Sequence, residues 1–186
     1  MVKMMAIKRN DAIYIASTIW YSTSIPYDDL RIKNNYPIAI INNKNGNIVI
    51  MVYGKARESQ IIIAHSKTLF KNKIINRKYL KDTYYPQIMK IMENESNFVT
   101  PYFDIIIVVN NKIFVISSDG VVYEKEEYAN DDDLLLTYKQ HKKEFKDFEL
   151  KLVDVIKQWN IVNESLEKTY AITTNTNSYN LRFNER

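Results

Sequence analysis

The 186-residue chain contains no cysteine. Disulfides, thiolate zinc sites and cysteine nucleophiles are thereby excluded, and the absence fits a reducing compartment. Glycine is nearly as scarce, with Gly46, Gly54 and Gly120 far apart from one another. A P-loop needs two glycines within one short motif and a dinucleotide fingerprint needs three. The G-x-S-x-G elbow of α/β-hydrolases needs two more. None of these can be built. Two histidines, His65 and His141, cannot make a typical zinc site without thiolates. Long apolar runs are missing too. Stretches such as Ile105–Val109 are strand-length, well short of the ~18–20 residues that span a bilayer. Near the N-terminus Lys3, Lys8, Arg9 and Asp11 interrupt the apolar residues, so no signal-peptide core is present. A cytoplasmic protein without a membrane span is the expectation.

What is present is ordinary globular material. Hydrophobic residues make up 46% and charged residues 26%, enough to build a core at this length. No linker and no internal repeat breaks the chain, so residues 1–186 read as one domain. The net charge is +4 and the isoelectric point about 9.0, which favours acidic partners. The Lys and Arg residues are spread along the sequence rather than massed, which weighs against a dedicated nucleic-acid module.

Periodicity gives the order of elements. Met4–Ile7 and Ala12–Ala16 read as two strands joined across Lys8–Asp11, and Ser17–Asn35 reads as loop. Ile38–Ile41 and Ile48–Val52 flank an Asn-rich segment ending in Asn45-Gly46-Asn47, a strong hairpin signal because Asn and Gly tolerate positive φ. A helix over 55–71 follows, with Ala56, Ile61, Ala64, Thr68 and Leu69 as its inward face. A second runs over 77–95 with Leu80, Ile88 and Met92 inward, and Pro86 predicts a break or kink. Phe103–Val109 and Lys112–Ser117 pair across Asn110-Asn111. Asp119-Gly120 then turns the chain into Val121–Tyr123. Asp131-Asp132-Asp133 opens a helical half that includes Leu134, Phe145, Leu152 and Trp159. Tyr170–Thr174 and Tyr179–Phe183 are closing strands. Strands, helices, strands, helices, strands is an α+β order. A four-layer αββα sandwich, two antiparallel sheets between helix layers, would bury every apolar face.

Candidate chemistry is sparse. Asp131-Asp132-Asp133 has the carboxylates of a cation site, yet acids at a helix start serve equally to cap N–H groups and oppose the dipole. His141 and Glu144 have the i, i+3 spacing of a ligand pair, but no second such pair accompanies them. His65 and Ser66 are helical neighbours pointing about 100° apart, which is not a dyad. The tyrosines, 14 in all, are scattered rather than clustered as a base-stacking platform. No cofactor and no metal is implied.

The segment Met4–Ala16, MMAIKRNDAIYIA, resembles the opening strand pair of proteasome β-type subunits and the related bacterial HslV peptidase. Met51–Gln60, MVYGKARESQ, is similar to that family's strand end, glycine and first long helix. Asp104–Ala129 resembles its central hairpin and acidic-Gly turn. The likeness implies an N-terminal nucleophile hydrolase fold. In that chemistry an exposed Thr, Ser or Cys attacks a peptide carbonyl with its own α-amine as base. Here the corresponding residues are Met1, Val2 and Lys3, and no hydroxyl precedes Ser17. The family's acidic residue after the second strand corresponds to Ser17 or Thr18. Its lysine would have to be supplied by Lys33, since the next strand begins at Pro37. The supporting Gly-Ser-Gly loop is replaced around Asn130–Asp133.

These groups act as a unit, so joint loss removes the activity. The leading reading is a proteasome-β-like subunit without catalysis, a pseudoenzyme that assembles as a homo- or hetero-oligomer through its helix layers or binds a partner. The second is an active threonine or serine peptidase using an unrecognised nucleophile. Thr18 is the candidate there, with Lys33 as its lysine, and Ser22, Thr23 and Ser24 are further hydroxyls. The third is a basic nucleic-acid-binding module.

Overall fold

The computed structural model describes residues 4–9, 12–18, 38–95, 102–130, 132, 135–136, 139, 169–175 and 178–184. In chain order they form β1 (Met4–Arg9), β2 (Ala12–Thr18), β3 (Ile38–Ile41), β4 (Ile48–Tyr53) and helix α1 (Ala56–Leu69). A short α2 (Arg77–Tyr79) runs through a π-helical turn (Leu80–Tyr84) into α3 (Tyr85–Glu95). Then come β5 (Asp104–Val109), β6 (Lys112–Ser117), β7 (Val122–Lys125), β8 (Glu127–Ala129), β9 (Thr169–Asn175) and β10 (Ser178–Asn184). The result is a mixed α+β structure with two five-stranded antiparallel sheets. The chain divides into two compact units, Met1–Tyr36 with Glu126–Arg186, and Pro37–Lys125.

In the first unit the strand order is β10-β9-β2-β1-β8. The expected opening pair is there, from Met4 opposite Ser17 to Arg9 opposite Ala12. It is longer than expected, because Arg9, Ser17 and Thr18 continue the ladder. The closing strands are also present, and β9 adds to the far side of β2 with Ile15 opposite Ile172. β8 is an addition that sequence periodicity did not give. Its three residues, Glu127–Ala129, offer too short a run to register, yet they pair with β1 through Met5 opposite Ala129. Met4, Met5, Ala6 and Ile7 are all fully buried. Successive side chains of a strand face opposite ways, so β1 is covered on both faces.

The second unit is a meander ordered β3-β4-β5-β6-β7. In the β3–β4 loop Asn43 Oδ1 accepts the Asn45 N–H at 3.0 Å, and the Gly46 N–H donates to the Asn43 carbonyl at 3.1 Å. β5 and β6 are joined by Asn110 and Asn111 alone, at φ 49° and 59°. Two left-handed residues in succession give the turn whose twist matches the flanking strands. The β6–β7 turn rests on Gly120 at φ +82°. A Cβ there would stand 2.6 Å from the Tyr85 ring, which is held by its hydroxyl donating to the Ser118 carbonyl at 2.7 Å. β4, β5 and β6 are buried at nearly every position, which explains their unbroken apolar sequences.

α1 packs on β3 and β4, and α2 on β7. The inward face of α1 is not the one expected. Ser59, Ile62, Ile63, Ser66 and the following Phe70 are buried together with Glu58, whereas Ala64 and Thr68 are exposed. A count that sends serine to the solvent side turns this helix the wrong way. Ser66 is buried because its hydroxyl is satisfied locally. It donates to the Ile62 carbonyl at 2.6 Å and lies 2.7 Å from the Tyr84 hydroxyl. A carbonyl can only accept, so the Ser66 proton goes to Ile62 and Tyr84 donates to Ser66. The Tyr84 ring lies 4.6 Å from that of Phe70, centroid to centroid. Burial pushes the Tyr84 phenol far above the ordinary tyrosine range, with the Ser66 hydrogen bond acting in the opposite sense.

The second helical stretch is continuous rather than broken at Pro86. Proline lacks the N–H of a normal helical bond. The π turn just before it absorbs the defect, with the Tyr85 N–H reaching back five residues to the Leu80 carbonyl. Leu80, Ile88 and Met92 are buried as expected, and Tyr84 joins them. The helical half expected after Asp131 lies almost wholly outside the described residues. Asp132, Leu135, Leu136 and Lys139 are described there and are helical.

Two outcomes follow. Ser66→Ala strands a buried phenol and costs about 1–3 kcal/mol, whereas Tyr84→Phe leaves Ser66 bonded to Ile62 and costs about 0.5–1.5 kcal/mol; urea unfolding of both variants measures the order. Because the folded-state pKa of Tyr84 is raised, the unfolded chain releases the phenolic proton first. Stability is therefore full below pH ~10 and falls above it, by up to about 1.4 kcal/mol per pH unit. Tyr84→Phe flattens that alkaline decline in paired thermal melts.

Candidate functional site

The resemblance in sequence directs attention to the start of β1. Of the residues it singles out, Met1, Val2, Lys3, Ser22, Thr23, Ser24, Lys33, Asp131 and Asp133 lie outside the described residues, as do His141 and Glu144. Met4 is the first described position. Its N–H donates to Asn130 Oδ1 at 2.7 Å, and its carbonyl accepts the Asn130 N–H at 3.2 Å. Asn130 thus grips both backbone polar groups of one residue, in line with the end of β8. On the other side of β1, Met4 stands opposite Ser17, and Thr18 continues β2 opposite Thr169.

This end of the sheet therefore gathers Met4, Ser17, Thr18 and Asn130. None of these four residues has a charged side chain. Ser17 and Thr18 hold the place where the resemblance expects an acid, and neither carries a charge at neutral pH. An asparagine amide positions a backbone but neither takes nor delivers a proton. The cations of β1 are Lys8 and Arg9, and the nearer of them, Lys8, is four residues and about 13 Å along the strand from Met4. Its Nζ lies 3.6 Å from Glu126 Oε1. Asn130 was visible in the sequence only as part of a replaced loop. Its role depends on the short β8, which alone carries it beside Met4.

The other sequence candidates are not brought together. His65 Nε2 lies 2.8 Å from Glu95 Oε1, linking α1 to α3 at a half-exposed surface where such pairs contribute less than about 1 kcal/mol. Ser66 turns away into the core toward Tyr84. No group of three or more His, Asp or Glu placed to hold a metal occurs among the described residues. Nor is any described helix long and apolar enough to cross a membrane.

In the second unit, Gly54 ends β4 where the chain passes close to a neighbour. A Cβ on Gly54 would lie 3.3 Å from both the Tyr102 carbonyl and Phe103 Cβ, and 3.4 Å from Ser59 Oγ. Beside it, in the first turn of α1, Glu58 Oε2 and Ser59 Oγ are buried without hydrogen-bond partners. The helix N-terminus tolerates the Glu58 carboxylate through its dipole. Sequence reasoning passed over both residues, because polar side chains were assigned to the solvent face.

The chain matches no protein-family model and no curated protein. Solved structures do share its fold. The BPH protein of Thiobacillus denitrificans superposes with a TM-score of 0.69 at 12% identity, over 94% of this chain and 98% of its own. Anbu, an ancestral beta-subunit from Yersinia bercovieri, superposes with a TM-score of 0.68 at 9% identity, over 98% of this chain and 87% of its own. At these identities the likeness is one of fold: this chain has the fold of an ancestral beta-subunit along nearly its whole length.

Proposed function

We propose that the chain is a proteasome-β-like subunit without peptidase activity, working through assembly or partner binding. The observation that carries this reading is the lead into β1, which holds no hydroxyl or thiol. Met1, Val2 and Lys3 precede a strand whose Met4–Ile7 segment is buried. A peptidase of the N-terminal nucleophile kind needs a hydroxyl or thiol at that point, a free amine beside it and a cation to lower the nucleophile's pKa. Ser17 and Thr18 replace the acid, and Asn130 holds the Met4 backbone from the side.

Under the same reading the two sheets form the middle of a four-layer αββα sandwich, residues 1–186 act as one domain, and the protein works in the cytoplasm. Support for the sandwich comes from β4, β5 and β6, whose buried side chains face both ways, with α1 packed on β3 and β4 and α2 on β7. Support for assembly comes from the shared fold with an ancestral beta-subunit, since a subunit by name is one part of a larger body.

Two experiments test it. Purified protein incubated with fluorogenic peptides hydrolyses them no faster than buffer does; turnover that Thr18→Ala or Lys33→Ala abolishes establishes the active-peptidase alternative instead. Native mass spectrometry at micromolar concentration gives masses at multiples of the 22.0 kDa chain. A spectrum holding the monomer alone contradicts assembly with its own copies.

A further inference from the structure

Positive charge in the second unit collects around residues 71–81, to which the fold adds the β3–β4 loop. Between Ser59 and Lys81 there is no Asp or Glu. Lys71, Lys73, Arg77, Lys78 and Lys81 fall in this stretch, and the β3–β4 loop adds Lys44. All six are exposed, and none is in an ion pair among the described residues. Against them stands Asp82. The chain as a whole is only +4, so the remainder of the protein is slightly acidic and the basic character belongs to this surface.

The cluster is built by specific bonds. Asn43 Nδ2 donates to the Phe70 carbonyl at 2.6 Å and the Lys73 carbonyl at 3.0 Å, tying the loop of Lys44 to the segment of Lys71 and Lys73. The Tyr79 hydroxyl donates to the Leu69 carbonyl at 2.6 Å, drawing the start of α2 against the end of α1. Asn76 Oδ1 accepts the Tyr79 N–H at 2.8 Å and fixes where α2 begins.

Part of this charge serves the fold, since Lys71 and Lys73 follow the negative end of α1. Arg77 and Lys78 do the reverse. They occupy the start of a helical stretch that continues to Glu95, with no acid among Arg77–Tyr79. Cations at that end oppose the dipole and weaken the helix. A local arrangement that acts against its own helix marks a surface shaped by something outside the chain.

We infer that this surface binds the phosphate backbone of double-stranded DNA without reading its sequence. Unpaired lysines and one arginine supply point charges for phosphates, and the exposed Asn45, Asn72 and Asn76 lie among them. No exposed aromatic ring lies among these residues to stack on unpaired bases, which separates this surface from a single-strand platform. Ile74, 66% exposed, is its one large apolar side chain, too little to anchor in lipid. The inference is independent of the peptidase question.

Fluorescence anisotropy on the full chain with a labelled duplex of about 20 base pairs tests it. Binding is micromolar at about 50 mM salt and falls about 100- to 1,000-fold by about 200 mM, as expected for roughly four to five neutralised phosphates. Arg77→Glu with Lys78→Glu lowers affinity at least about tenfold and reduces the salt slope by about 2, while the melting temperature is held or raised because acids now stand at the helix start. Arg77→Gln with Lys78→Gln reduces the slope in the same direction, and Lys139→Glu leaves binding unchanged. Absence of binding at low salt overturns the inference. So does duplex binding that both double variants leave intact, or equal or tighter binding to single strands or to anionic vesicles.

Discussion

A strand covered on both faces cannot carry a polar side chain unless that group finds a partner inside, and β1 is such a strand. Met4, Met5, Ala6 and Ile7 have no solvent on either side, and the backbone is paired to β2 along one edge and to β8 along the other. Burying a lone hydroxyl without a partner costs on the order of 1–3 kcal/mol, so apolar residues here are what folding favours. At the first described residue of β1, Asn130 completes the hydrogen bonding, taking the Met4 N–H on its side-chain oxygen and giving its own N–H to the Met4 carbonyl.

The second unit obeys the same constraint with a different solution. β4, β5 and β6 are apolar on both faces, and α1 lies on one of them with serines rather than leucines at two central positions. Ser66 can be buried because Ile62 and Tyr84 satisfy it. Small side chains also let the helix approach closely, as Gly54 does where β4 meets Tyr102 and Phe103. Ser59 and Glu58 are the exception, polar atoms enclosed without partners in the first turn.

Much of this architecture is legible in the residues. Two Asn-rich turns and one Asp-Gly turn locate three hairpins, because asparagine and glycine reach left-handed φ at low cost and Asn110, Asn111 and Gly120 all do so. The order of strands and helices is readable for the same reason. Three features are not. β8 is too short to leave a period, although it positions Asn130. The inward face of α1 depends on hydrogen bonds that no hydropathy pattern records. The basic surface draws mainly on residues 71–81, and Asn43 adds the loop of Lys44 to it from a distant part of the sequence. The resemblance carried by Met4–Ala16 and Asp104–Ala129 rests on element order more than on any motif, which is how fold likeness persists at 9–12% identity.

The central question is whether any hydroxyl in this protein behaves as an N-terminal nucleophile. Intact-mass spectrometry of the purified chain, before and after exposure to a β-lactone that acylates such nucleophiles, addresses this directly. The account predicts a mass that retains β1 and gains nothing on exposure. A chain beginning at Thr18, Ser22, Thr23 or Ser24, with one equivalent of acyl group added, would contradict it.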